Sequence, residues 1–144
     1  MKIGLIRIHP VAKAPSMTFD TDAGLDLFAL QRTILKAQQV TFVPVGYKVQ
    51  MPLHEDLFAW NATPSAVSRK QLIILPGIID VGYDGDCGPL MFNLNDVDYI
   101  VEPGEKVSQL IVLHRAHVEF TDQPITTQVL RSAKTWGVVD QHPK

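Results

Sequence analysis

The chain has 144 residues, 46% of them hydrophobic, and a formal net charge of −2, which excludes a disordered polypeptide and supplies enough apolar surface for one packed domain. The near-neutral charge lacks the basic excess of a nucleic-acid-binding surface, so no nucleic-acid partner is expected; an anionic small ligand is not excluded, because local basic residues or a divalent cation can supply the field. Cys87 is the only cysteine, which excludes an intrachain disulfide and fits a reducing compartment.

In chain order, the opening stretch MKIGLIRIHPVAKAP reads as a strand over residues 2–9 rather than a secretory leader, because Arg7 and His9 break its apolar run. No window approaches the ~18 apolar residues of a membrane helix; a soluble, cytoplasmic protein without membrane contact is expected. Further strands are expected over residues 24–30, 40–43 and 47–51, the last stopped by Pro52. One short helix is expected over residues 65–71. Strands over 72–75, 77–80, 90–94, 99–101 and 107–120 follow, the last bending partway. Ten Pro and nine Gly are scattered along the chain and no long segment keeps a helical apolar period. The expected fold is therefore all-β: a sandwich, jelly roll or barrel.

After Pro124 the apolar density drops. The tail TTQVLRSAKTWGVVDQHPK reads either as a fraying terminus or as an arm that orders over a ligand or a neighbouring subunit; Trp136 favours the arm, since a large aromatic needs a place to bury its surface. The division is a β domain over 1–124 and an arm over 125–144.

Several residues could carry chemistry. Asp26 lies inside the apolar run AGLDLFAL, where a half-buried strand rarely places a carboxylate. Asp80 follows two β-branched residues and precedes Gly82, Tyr83 and Gly85. The two glycines flanking Tyr83 would let backbone approach a flat ligand, the ring could pack against a sugar or base, and the carboxylate could take a proton from water. An Asp/Gly-rich hairpin turn has the same composition. Gln109, taken alone, reads as an edge residue. His114 and His117 have a spacing that sends strand side chains to opposite faces, which disfavours a metal pair.

Taken together and in order, these segments resemble the five motifs of the trimeric dUTPase family, whose relatives include the dCTP deaminases. DAGLDLFA is similar to the first motif, PSAVSRKQL stands at the second, PGIIDVGYDGD resembles the third most closely, PGEKVSQLIV is similar to the fourth, and RSAKTWGVVD occupies the place of the fifth. The resemblance implies a jelly-roll or distorted β-barrel with a C-terminal arm, a homotrimer with shared sites, and hydrolysis of dUTP to dUMP and pyrophosphate. It implies Asp80 as general base and Asp26 as a water-mediated ligand of Mg2+ riding on the phosphates. Tyr83 would lie under the deoxyribose, and Ile78 and Ile79 would offer backbone to uracil. Ser65 and Gln109 would contact the phosphates and Arg131 would reach the terminal one; Ala66 at the second motif and Lys134 at the fifth, the latter as charge in place of a glycine, complete the candidate substrate-binding residues, and Trp136 would stack on the base.

The sequence also departs from the family pattern. Pro64 stands where the second motif begins with Arg, Ala66 where it has Ser or Gly, and Gln71 where it has Gly. Ser132, Lys134 and Thr135 replace expected glycines of the fifth motif, and Val138-Val139 replaces Ser-Thr. Losing one charge-assisted hydrogen bond to phosphate costs about 1.5–3 kcal/mol; Arg69 or Lys70 is the expected substitute for the missing guanidinium. These departures leave two alternatives open: a binding or regulatory member of the fold with weakened catalysis, and a pyrophosphatase for dCTP or a modified pyrimidine nucleotide. Deamination is disfavoured, because the strand CGPLMFN lacks the carboxylate that the deaminases carry there.

Overall fold

The computed structural model describes residues 2–125. It contains eleven strands and one short helix: β1 (Gly4–Arg7), β2 (Leu25–Phe28), β3 (Thr33–Leu35), β4 (Val40–Phe42), β5 (Tyr47–Gln50), β6 (Leu57–Ala62), α1 (Ser65–Ser68), β7 (Leu72–Ile74), β8 (Gly77–Asp80), β9 (Leu90–Asn93), β10 (Tyr99–Val101) and β11 (Lys106–His114). Every strand pairing is antiparallel. A four-stranded sheet has the order β2-β11-β6-β8, a three-stranded sheet the order β4-β9-β7, and β1-β5 and β10-β3 form two-stranded ribbons. The expected all-β, jelly-roll-like architecture is present as open sheets rather than a closed barrel.

Prolines mark the connections. Pro52 follows β5, Pro64 precedes α1, Pro76 separates β7 from β8, Pro89 precedes β9 and Pro103 follows β10, each where the missing amide leaves no ladder bond unmade. The inner faces meet in one core containing Leu27, Leu35, Val43, Val101, Val107 and Leu110, all 1% exposed or less. Alternation sets those faces: in β6, Leu57, Ala59 and Asn61 are buried while Phe58, Trp60 and Ala62 are less so.

Three strands differ from the expectation. β6 and β3 were not expected, and β11 ends at His114 instead of continuing to residue 120. The helix is also shorter, ending at Ser68. Beyond it, Gln71 has φ +57°, the left-handed region in which a side chain is crowded and glycine is not. The glycine that the resemblance leads one to expect at this place would be unstrained there. Gln71→Gly is therefore expected to stabilise the chain by about 0.5–1 kcal/mol, read as a shift in the urea midpoint at unchanged slope.

The turn before β11 is tied to the turn after α1. Glu105 accepts hydrogen bonds from Lys70 Nζ (2.7 Å), Tyr99 Oη (2.5 Å) and the Glu102 amide (3.0 Å). Burial pushes the Glu105 carboxyl up, but the hydrogen bonds from Lys70 and Tyr99 outweigh it and hold it below its ordinary value. A carboxyl depressed in the folded state contributes stability that is complete above its unfolded value and is lost as pH falls through the folded one. Glu105→Gln is thus expected to flatten the loss of stability between about pH 5 and pH 3, measured by denaturant melts at each pH.

Candidate functional site

The third-motif segment forms β8 and the turn that follows it. β8 is the edge strand of the four-stranded sheet, so its outer N–H and C=O groups lack a partner strand. Along that free edge lies a slot of about 350 Å³. Gly77, Ile78 and Ile79 of β8 line it together with Cys87 and Gly88 of the segment before β9, Tyr83 of the turn between them, and Asn61 of β6. Ile79 is buried, whereas Ile78 is exposed.

Asp80 ends β8 opposite Phe58 and lines a second, adjoining cleft of about 540 Å³ with Leu53, Phe58, Ile78 and Arg115. Arg115, held by Asp56 at 2.7 Å, lines the same cleft. The sequence reading gave Arg115 no role, because its pairing to Asp56 joins residues far apart in the chain. Tyr83 is tied to Asp80 through the turn, its amide donating to the Asp80 carbonyl at 3.1 Å. The Tyr83 hydroxyl donates to the Asp86 carbonyl at 3.4 Å. A Cβ on Gly85 would stand 2.2 Å from that hydroxyl. Gly85 therefore makes room for the Tyr83 ring itself, which differs from the expectation that both flanking glycines open backbone to a ligand.

The first- and fourth-motif residues meet elsewhere in the same sheet. Asp26 on β2 is opposite Gln109 on β11, and Gln109 donates from Nε2 to the Gly24 carbonyl at 3.4 Å. Glycine at 24 is a steric requirement: a Cβ there would lie 2.3 Å from the Leu110 carbonyl oxygen. Asp26 is 5% exposed, and its Oδ2 pairs with Lys106 Nζ at 2.7 Å. Lys106, read in sequence only as part of PGEKVSQLIV, is the counter-charge that makes a carboxylate tolerable in this strand. The register irregularity between Lys106 and Ser108 marks the place where the strand departs from regular pairing, which periodicity does not reveal.

Ser65 and Ala66 begin α1 and are exposed, as is Arg69 at its C-cap. They stand at the start and end of one helical turn, whose buried residue is Val67. Arg131, Lys134 and Trp136 lie outside the described residues. Cys87, at the slot, is 1% exposed; burial first, and the neighbouring Asp86 carboxylate second, push its thiol up to about 12, so it is a packing residue rather than a nucleophile.

The two clusters do not meet within one chain. Gln109 is opposite Ala62, while Asp80 is opposite Phe58, four residues along β6. Asp26 and Asp80 are thus three strands and four residues apart, about 20 Å on ideal sheet spacings. Groups acting on one phosphate must converge to a few ångström. Asp80 shares the outward face of the sheet with an apolar patch in which Trp60 is opposite both Ile111 and Ile78, and Phe58 opposite Leu113. Trp60 and Ile78 are exposed.

The dUTPase family model matches residues 11–135. The chain belongs to the dUTPase family. Among dUTPases, the deoxyuridine 5'-triphosphate nucleotidohydrolase of Clostridium novyi (strain NT) is 28% identical over 140 residues, covering 95% of this chain and 97% of the relative. That of Alkaliphilus metalliredigens (strain QYMF) is 32% identical over 113 residues, covering 76% and 77%. The solved dUTPase of Staphylococcus bacteriophage 80alpha with dUPNHPP superposes with a TM-score of 0.83 at 21% identity, over 95% of this chain and 99% of that one. A dUTPase from phage phi11 of S. aureus, described as coordinating a structural Mg(II) ion, gives 0.73 at 22% identity, over 92% and 99%. The family membership expected from the ordered motifs is established, and the dUTPase fold with it. No helix among the described residues is long and apolar enough to cross a membrane.

Proposed function

We propose that the protein hydrolyses dUTP to dUMP and pyrophosphate, with Asp80 as general base. The observation that carries this reading is the third-motif geometry: a carboxylate and an aromatic held by one turn at the end of an edge strand, with Tyr83 lining a slot along the β8 backbone and Asp80 the cleft that adjoins it through Ile78. Free backbone along β8 would pair with the uracil edge, and Tyr83 would lie under the deoxyribose. Asp80 takes a proton from water, the oxygen attacks the α-phosphorus in line, and the bond to the bridging oxygen breaks to release pyrophosphate.

In this reading the site is completed by more than one chain. We infer a homotrimer in which the apolar face bearing Phe58, Trp60 and Ile78 packs against neighbouring copies, so that Asp80 of one meets Asp26, Gln109, Ser65, Ala66 and Arg69 of another. Arg131, Lys134 and Trp136 belong in this reading to an arm that closes on the phosphates and base, with 1–124 as the body and 125–144 as the arm.

Magnesium fits only as a metal–triphosphate. Asp26 is a hard oxygen donor, but one of its oxygens faces Lys106, and the described residues contain no group of three or more His, Cys, Asp or Glu able to hold a metal. Phosphate oxygens and water must complete the shell, as Mg2+ prefers. The bound cation would neutralise phosphate charge; Asp26 would orient its water, and Lys106 and Gln109 would hold Asp26 and the adjoining backbone in place.

The test is pyrophosphate release from each deoxynucleoside triphosphate in turn, with magnesium, by the wild-type chain and by Asp80→Asn. Release from dUTP alone, lost in the variant, supports the proposal. Equal release from dCTP supports the altered-substrate reading, and nucleotide binding without release supports a regulatory member of the fold.

A further inference from the structure

We propose that Asp86 is a positioning residue that sets the width of the pyrimidine slot by clamping the β8–β9 connection to the β4–β5 connection; this rests on reading that slot as the base site. Asp86 Oδ1 accepts from the Gly88 amide at 2.8 Å and the Val45 amide at 3.1 Å, and Oδ2 accepts from the Gly46 amide at 2.7 Å and the Val45 amide at 3.2 Å. Charge-assisted bonds of this kind are stronger and more directional than neutral ones. The carboxylate lines the slot, yet its oxygens are taken up by backbone amides, so it shapes the wall instead of reading the base. Next to it, Asp84 pairs with Lys48 of β5, a second tie between the same two segments.

The two walls are held by different means. The β8 wall, with Asp80 at its end, is fixed by the ladder to β6. The facing segment, residues 86–88, lies between ladders and joins the β4–β9 pairing only at Leu90. It is held by the Cys87 amide bonded to the Tyr47 carbonyl at 2.8 Å, by Asn61 Nδ2 bonded to the Cys87 carbonyl at 2.9 Å, by Asp86, by the Asp84–Lys48 pair, and at its far end by the Val43 amide bonded to the Pro89 carbonyl at 3.0 Å. Removing the Asp86 carboxylate frees Gly88 and leaves the amides of buried Val45 and Gly46 without their acceptor. Asp80 keeps its place on β8. Slackening one wall while the base stays fixed weakens nucleotide binding more than it slows the chemical step.

The experiment compares full-length Asp86→Ala and Asp86→Asn with Asp98→Ala, a control in which another carboxylate that accepts a backbone amide (Ala37, 3.0 Å) and pairs with a lysine is removed away from the slot. Steady-state dUTP hydrolysis and residue-level amide hydrogen exchange are measured on each. For Asp86→Ala, KM is expected to rise about tenfold or more with kcat within about threefold, and Gly46 and Gly88 to exchange at least about tenfold faster. Asp86→Asn, which keeps one acceptor oxygen, falls between, and Asp98→Ala leaves KM within about twofold. Unchanged exchange at Gly46 and Gly88, a KM no higher than the control's, or a collapse of kcat at constant KM overturns the proposal. So does a changed preference between dUTP and dCTP in Asp86→Asn, which would make this group a reader of the base. If Asp86→Ala does not fold, Asp86→Asn carries the comparison. A wild-type chain that hydrolyses no nucleotide would remove the base-site reading, while exchange at Gly46 and Gly88 would still decide whether Asp86 clamps the β8–β9 connection.

Discussion

Asp80→Asn is expected to lower kcat for dUTP by about a thousandfold, within the range that loss of a positioned general base produces, while KM and the melting temperature change little. The amide is close in size to the carboxylate, and residue 80 is exposed at the end of β8, so the substitution disturbs no core contact. It removes only the ability to accept a proton from water. Steady-state pyrophosphate release and a thermal melt on the same preparation check both halves. A variant retaining more than about a tenth of wild-type kcat would show that another group activates the water.

The second large effect concerns the outward face of the four-stranded sheet. If the proposed homotrimer forms through this face, Trp60→Glu is expected to convert it to monomers at micromolar concentration and to reduce dUTP hydrolysis at least about a hundredfold, because a buried interface tryptophan is commonly worth 2 kcal/mol or more and a closed ring repeats the loss at each contact. Far-UV circular dichroism should be unchanged, since Trp60 is 39% exposed within a single chain. Light scattering together with the activity assay tests this. A fully active monomer would refute the shared site, and an intact trimer would place the contact on another face.

This face also explains what was hard to read in the sequence. β8 and β10 were legible to the residue and most other strands to within a residue or a few, because one side of each is apolar and Pro or Gly bounds it. β6, central to the candidate site, was not. Its outward residues Phe58 and Trp60 are as apolar as its inward Leu57 and Ala59, so LFAWNA has no period-two contrast, and the buried Asn61 lowers its strand propensity further. β3 is only three residues long, too short to carry a pattern. In the candidate site, Asp26, Asp80 and Tyr83 stood out through their local context, a carboxylate inside or after an apolar run and an aromatic between glycines, whereas Gln109 was singled out only by the resemblance. Lys106, Arg115 and Asp86 were not given roles, since each acts through a partner distant in sequence or through backbone amides that no side-chain pattern announces.

A hydroxyl-to-amide-to-carbonyl relay crosses the sheet beneath the slot: Ser108 Oγ donates to Asn61 Oδ1 at 2.8 Å, and Asn61 Nδ2 donates to the Cys87 carbonyl at 2.9 Å. A slip of β6 by one residue would turn Asn61 to solvent and Trp60 into the core, stranding a hydroxyl and a carbonyl in an apolar interior. Mispaired forms are penalised before any nucleotide is present. The amide that floors the slot thereby acts as a proofreader of strand alignment during folding.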